Sequence, residues 1–198
     1  MGLELNYING QTPIDEDEKI GLKISSITTI AELNEFEQIN IQKAVEWTLA
    51  KKISKDMLFT EDFICKLHKK MFGEVWRWAG KFRKSNKNIG VDKFMIIVEL
   101  RNLIEDVKYW IDNQIYEPDE IAIRFKHRMV KIHLFANGNG RHSRIMADLI
   151  ITKVFSLHSF TWGSTNLANT SYLRTQYINA LQEADNDNYK NLINFARS

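Results

Sequence analysis

The chain has 198 residues, of which 44% are hydrophobic, 11% aromatic and 26% charged, a balance that excludes wholesale disorder, a collagen repeat and a coiled-coil rod. Its 27 basic and 25 acidic residues leave a formal charge of +2, too near neutrality to point to nucleic acid or an anionic membrane as partner. A single cysteine, Cys65, excludes an internal disulfide framework and a multi-cysteine zinc site, and nine glycines with two prolines favour helices over turn-rich β architecture.

No repeat, low-complexity tract or Pro/Gly/Ser linker divides the chain, which reads as one domain over 1–198, with an N-terminal part at 1–55 and a core at 56–198. The start, MGLELNYING, has neither the basic nor the apolar region of a secretory signal, and the longest apolar stretches are only a few residues. A cytoplasmic protein is expected.

The first helical start signal is Thr12-Pro13-Ile14-Asp15, and the acidic run Asp15 to Glu18 sits where the helix dipole favours it, as a solvated first turn. A long helix follows from Thr28 to about Lys52, with Ile30, Leu33, Ile41 and Ala44 on one stripe. At 100° per residue Glu37 falls inside that apolar stripe, where a carboxylate requires a partner, most readily a cation. Thr60-Glu61-Asp62-Phe63 opens a helix to about Phe72, and Trp76 to Gly80 closes a short aromatic segment. Residues 81–92 are polar, basic and rich in turn formers, the pattern of an exposed loop or short hairpin. Ile96, Leu100, Leu103, Ile104, Val107, Trp110 and Ile111 mark a core helix, and Pro118-Asp119-Glu120 starts another that runs toward His133. Further helices are expected at about 140–155, 168–183 and 187–196, which makes the fold class all-α, a multi-helix bundle with a short β-hairpin at 81–92.

Chemistry concentrates in His133-Leu-Phe-Ala-Asn137-Gly-Asn-Gly-Arg141-His-Ser-Arg144. Asn137, Gly138, Asn139 and Gly140 alternate residues that tolerate positive φ with small ones, so successive N–H groups can face one point at a helix N-terminus and form an anion nest. Arg141 and Arg144 follow in the first turn, where two guanidinium groups oppose the helix dipole unless an anion sits there; a polyphosphate fits better than a lone carboxylate. His133, six positions before Asn139, has the side-chain chemistry of a general base at neutral pH. His127, His133 and His142 have spacings of six and nine, which match no common zinc pattern.

This twelve-residue stretch resembles the signature of the Fic (filamentation induced by cAMP) family, His-x-Phe-x-Asp/Glu-Gly-Asn-Gly-Arg-x-x-Arg. Gly10-Gln-Thr-Pro, Leu33-Asn-Glu-Phe-Glu-Gln, Met71-Phe-Gly-Glu-Val-Trp-Arg-Trp-Ala-Gly and Phe195-Ala-Arg-Ser resemble the subfamily called mobile mystery protein B. The resemblance implies a mostly helical Fic fold and transfer of AMP from ATP to a Ser, Thr or Tyr hydroxyl of a target protein. It makes His133 the base, Gly138, Asn139, Gly140 and Arg141 the phosphate ligands, and Arg144 the holder of the γ-phosphate. It makes 81–92 the flap that pairs with a target segment, through Asn88, Ile89, Gly90 and Val91, and implies Mg2+ or Mn2+ as the metal. Asn137 stands where the family has the Asp/Glu that binds the metal, an amide in place of an anionic oxygen. The family's inhibitory helix, Ser/Thr-x-x-x-Glu-Gly/Asn, has an imperfect counterpart in Leu33 to Gln38, with Glu37 as inhibitory glutamate and Arg144 as its expected partner. The subfamily likeness adds a helix-turn-helix protein as partner; membrane and nucleic acid are not expected. The alternative is a low-turnover nucleotide-binding regulatory module, or a variant with a different phosphoryl-type transfer.

Overall fold

The computed structural model describes residues 15–163 and 170–198, so the Thr12-Pro13 start signal lies outside the described residues. Nine α-helices are described: α1 (Glu16–Lys19), α2 (Ile30–Ala50), α3 (Lys55–Leu58), α4 (Glu61–Phe72), α5 (Ile96–Asp112), α6 (Pro118–Ile132), α7 (Asn139–Leu149), α8 (Thr170–Ala184) and α9 (Lys190–Arg197). A π-helical turn, Ile150–Val154, extends α7.

The helix starts follow from side chains that bond to nearby backbone. Thr29 accepts from the N–H of Glu32, whose carboxylate accepts in return from the N–H of Thr29, and Thr60 accepts from the N–H of Phe63. Such caps contribute about 1 kcal/mol each. Pro118 occupies the first turn of α6, where its missing N–H is no loss.

α6 is the central element. Ile121, Ala122, Ile123 and Phe125 are fully buried, with α5 and α7 packed beside it and α9 touching it. α4 packs against α7 and carries α2 on its outer side, while α8 and α9 pair with each other. Because α6 and α7 are adjacent, the turn between them, 133–138, is pressed into the core: Leu134 and Phe135 are fully buried. That burial positions the site.

The expected β-hairpin at 81–92 is not formed; among the described residues there is no strand, only isolated bridges between Phe82 and Phe135 and between Leu22 and Trp76. The N–H groups of Arg83 and Val91 instead donate to Leu134 O (3.0 Å) and Ile132 O (3.4 Å) around the end of α6, and side chains close the end of the segment. Asn86 Oδ1 accepts from the N–H of Lys93 (2.8 Å), Asp92 Oδ1 from the N–H of Phe94 (2.9 Å), and Asn86 Nδ2 donates to Asp92 Oδ2 (2.8 Å). A segment closed in this way has no cross-strand ladder to form. No helix among the described residues is long and apolar enough to cross a membrane.

Candidate active site

His133 caps the C-terminus of α6 with φ 57° and ψ 64°, a left-handed conformation that is costly for a residue with a Cβ. Its N–H donates to Met129 O (3.1 Å), which closes the helix. The side chain is 3% exposed, and neither ring nitrogen has a hydrogen-bond partner; the Val130 carbonyl approaches the ring without reaching hydrogen-bond geometry. A buried polar group left unpaired costs about 1–3 kcal/mol. Burial first, and then the positive charge of Arg83, push the imidazole down to about 4, so it is neutral and holds a free lone pair.

The turn after it is built from its own amides. Asn139 Oδ1 accepts from the N–H of Phe135 (2.9 Å) and Asn139 Nδ2 donates to Phe135 O (2.8 Å), so this side chain staples the loop and only its backbone remains to meet an anion. Asn137 Oδ1 accepts from the N–H of Gly138 (2.6 Å). Gly138 has φ 77°, and a Cβ there would lie 2.5 Å from the Phe72 ring, so glycine is required twice over. A Cβ added at Gly140 would meet nothing within 4 Å, which leaves open space over the first turn of α7. The N–H groups of such a first turn have no intrahelical carbonyl and point toward that space.

His68, which the sequence reading overlooked, supports the loop from below. Its Nδ1 accepts from the N–H of Gly80 (2.9 Å), which assigns the proton to Nε2, and Nε2 donates to Asn137 O (3.0 Å). Its ring stacks on Phe135 with centroids 3.7 Å apart. Burial holds His68 well below the ordinary histidine range, consistent with this neutral, doubly bonded ring.

The two arginines diverge. Arg141 Nη1 lies 2.7 Å from Glu37 Oε2, and its guanidinium sits over the Phe72 ring. Glu37 is 3% exposed and its other oxygen accepts from Trp76 Nε1 (2.6 Å). The cation that answers Glu37 is therefore Arg141 and not Arg144 as the sequence reading expected. Arg144 lies between aromatic rings, over Tyr177 at 4.4 Å and Trp162 at 5.4 Å, and hydrogen-bonds the Tyr177 hydroxyl, which also accepts from the buried Lys126. α2 lies against α4, and α4 leads into Trp76, so Glu37 arrives on the side of the turn that Arg141 faces.

The 81–92 segment covers the histidine. Gly90, φ 103°, lies so close that a Cβ would be 2.6 Å from His133 Cβ, and the N–H of Val91 donates to Ile132 O (3.4 Å). Asn88 and Ile89 are exposed. Lys87 is tied down by Asp15 (2.7 Å) and Glu18, and Ser85 Oγ donates to Asp15 Oδ2 (3.1 Å). Two acids of the run expected to be solvated thus hold the 81–92 segment.

Among the described residues no three His, Cys, Asp or Glu side chains come together as a metal site. His142 Nε2 bonds Ile64 O and His127 Nε2 bonds Asp185, so the histidines are spent separately. The loop offers a cation only the neutral oxygen of Asn137, already engaged with Gly138, so these residues alone do not fit Mg2+.

Fold and site together define a helical domain in which the glycine-rich turn before α7 adjoins a buried, unpaired histidine. Residues 58–151 match the model of the Fic/DOC family. Curated relatives are the protein adenylyltransferases Fic of Aedes aegypti, 24% identical over 121 residues (59% of this chain, 24% of the relative), and of Nematostella vectensis, 24% identical over 121 residues (59% and 28%). The chain spans about a quarter of the length of these relatives. Similar solved structures include Fic-1 (residues 134–508) from C. elegans, with TM-score 0.66, 19% identity and coverage of 81% of this chain and 47% of that one. Another is BepC, a VirB-translocated effector from Bartonella tribocorum solved with bound AMPPNP, with TM-score 0.67, 15% identity and coverage of 92% and 97%. At these identities the likeness to solved structures is one of fold.

Proposed function

We propose that the domain transfers AMP from ATP to a Ser, Thr or Tyr hydroxyl of a target protein, and that Glu37 restrains it. The observation that carries this reading is the neutral His133 ring, buried with both nitrogens unpaired beside the first turn of α7. The names of the curated relatives, and the AMPPNP bound to BepC, support ATP as the donor.

In this reading the N–H groups of Gly138, Asn139 and Gly140, with Arg141, hold the phosphates, and Arg144 takes the γ-phosphate. A target segment replaces the cover that Gly90 and Val91 provide. His133 takes the hydroxyl proton as its oxygen attacks the α-phosphorus; the bond from that phosphorus to the bridging oxygen breaks, and pyrophosphate leaves with the electron pair. A divalent cation, Mg2+ or Mn2+, would come with the triphosphate, since the chain supplies no anionic ligand at Asn137.

Glu37 opposes this chemistry by occupying Arg141, which then meets a carboxylate where it would meet phosphate. The flanking segments support a finer placement among mobile mystery protein B, with a helix-turn-helix protein as partner, and the lone free Cys65 supports the cytoplasm as its place.

Labelling with ATP radioactive at the α-phosphate tests the proposal. Glu37→Gly protein is expected to label a target or itself, and Glu37→Gly with His133→Ala is not. The second reading, a regulatory module that binds nucleotide without turnover, draws on Asn137 and on the occupied Arg141; nucleotide bound by Glu37→Gly protein with no transfer would favour it.

A further inference from the structure

Arg83 is 5% exposed and sits against the back of His133. Asp92 and Glu18 act on it only at longer range, and its direct partners are neutral oxygens from three places. Nε donates to His133 O (2.6 Å), Nη1 to Ser85 O (2.8 Å) and Asn86 Oδ1 (3.5 Å), and Nη2 to Val91 O and Ile132 O (3.5 Å). The Ile132 and His133 carbonyls end α6, where the helix cannot satisfy them and where its dipole welcomes a cation. Ser85 and Val91 bracket the covering loop. Gly90 is squeezed between: a Cβ there would stand 3.0 Å from Arg83 Nη2 and 2.6 Å from His133 Cβ. The histidine, the loop and the guanidinium therefore form one packed unit.

We propose that Arg83 is a positioning residue for His133: its planar fork ties the end of α6 to the covering loop, keeps the imidazole in its left-handed turn and presents it to the target hydroxyl as a proton acceptor. This rests on the reading of His133 as base. A left-handed residue with a Cβ persists only where its surroundings over-determine it, and bonds from one rigid group to four backbone carbonyls do so. Lysine, a single point charge, cannot bridge the same set. The charged groups acting on the ring are Arg83 and, more weakly, Lys87, which Asp15 and Glu18 already pair; Arg141 of α7 is taken by Glu37 of α2. With no carboxylate bonded to the ring, the charge beside it disfavours imidazolium.

The test uses the full chain as Arg83→Gln and Arg83→Lys. Histidine is 13C-labelled for NMR titration, with His133→Ala to assign the signal, and amide exchange is followed over 84–92. AMP transfer is measured across pH in the Glu37→Gly background. In Arg83→Gln the His133 titration is expected to move up toward the ordinary value of about 6.5, and the loop amides to exchange faster. Transfer is expected to fall roughly 100-fold in kcat with little change in KM for ATP. Arg83→Lys is expected to keep the low titration while losing rate and loop protection, and it decides the matter if the glutamine variant does not fold. Unchanged exchange over 84–92 in Arg83→Lys, or unchanged titration and exchange in Arg83→Gln, overturns the proposal. Altered titration and exchange with no AMP transfer in any variant would leave Arg83 as positioning residue and reject the transferase reading instead.

Discussion

Glu37 and Arg141 meet at 2.7 Å, the carboxylate from the middle of α2 and the guanidinium from the first turn of α7. Trp76 donates to the second carboxylate oxygen at 2.6 Å, so the acid is held from two sides inside the protein. This pair joins α2 to the glycine-rich turn before α7, and its removal is the most informative change to make.

Replacing Glu37 should separate restraint from stability. Glu37→Gln keeps an acceptor for the buried Trp76 N–H and removes the charge, while Glu37→Gly also deprives Trp76 of its acceptor, at about 1–3 kcal/mol, and puts glycine in a helix interior, at about 1 kcal/mol. Both variants are expected to raise AMP labelling by roughly 10- to 100-fold, and only the glycine variant to lower the denaturation midpoint markedly. Labelling unchanged in both, measured beside wild type, would free Glu37 of any inhibitory role.

Trp76→Phe keeps aromatic bulk in the stack with Trp78 but removes the donor to Glu37. It is expected to activate more weakly than Glu37→Gln, because the Arg141 pair survives. Activation equal to that of Glu37→Gln would mean that Trp76, and not Arg141, carries the restraint.

His133→Ala is expected to reduce transfer by about 100- to 10,000-fold while ATP affinity, read by calorimetry, stays close to wild type. Since the ring makes no hydrogen bond, none is lost on substitution. The acid limb of kcat/KM in the Glu37→Gln protein should lie well below the ordinary histidine value, because the ring titrates at about 4 and the neutral form is the active one.

Arg144 contacts rings of Trp162 and Tyr177, so its substitution tests both packing and nucleotide binding. Arg144→Ala should weaken ATP about tenfold and AMP hardly at all, a loss of one charge-assisted contact. Equal weakening of both nucleotides would take Arg144 away from the γ-phosphate.

Stability should fall as pH drops from about 6.5. His133 and His142 are pushed to about 4 and about 3 by burial, and burial also lowers His68 and His127. Between the folded and unfolded values the unfolded chain binds more protons, so each group removes up to about 1.4 kcal/mol per pH unit on acidification. Asp148 acts oppositely: burial raises it to about 6, so protonation between about 6 and 3.8 favours the folded chain. The histidines outnumber it. Thermal melts between pH 7 and about 4 should show a falling midpoint, and a midpoint that holds or rises would mean that these rings are not buried neutral.

Much of this molecule was legible in its sequence where the deciding contacts are local. The caps at Thr29 and Thr60 and the proline start of α6 bond within four residues, and the helices they open were expected within a residue or two. The buried Glu37 was legible from helical period. What stayed hidden depends on distant partners. Trp76 reaches Glu37 across 39 positions, His68 reaches Asn137 across 69, and Arg83 reaches His133 across 50. Periodicity carries no such information, which is why Arg144 was paired with Glu37 in place of Arg141 and why the flap was expected as a hairpin. The basic composition of 81–92 was visible; that its single arginine, Arg83, would turn inward onto carbonyls was not.

The most direct measurement compares covalent AMP, read by intact mass and α-phosphate label, on Glu37→Gln protein with and without His133→Ala, in the presence of candidate targets. Transfer by the first and none by the second is the expected result. Equal transfer by both, or nucleotide bound by both with no transfer at all, would contradict a restrained transferase driven by a buried histidine.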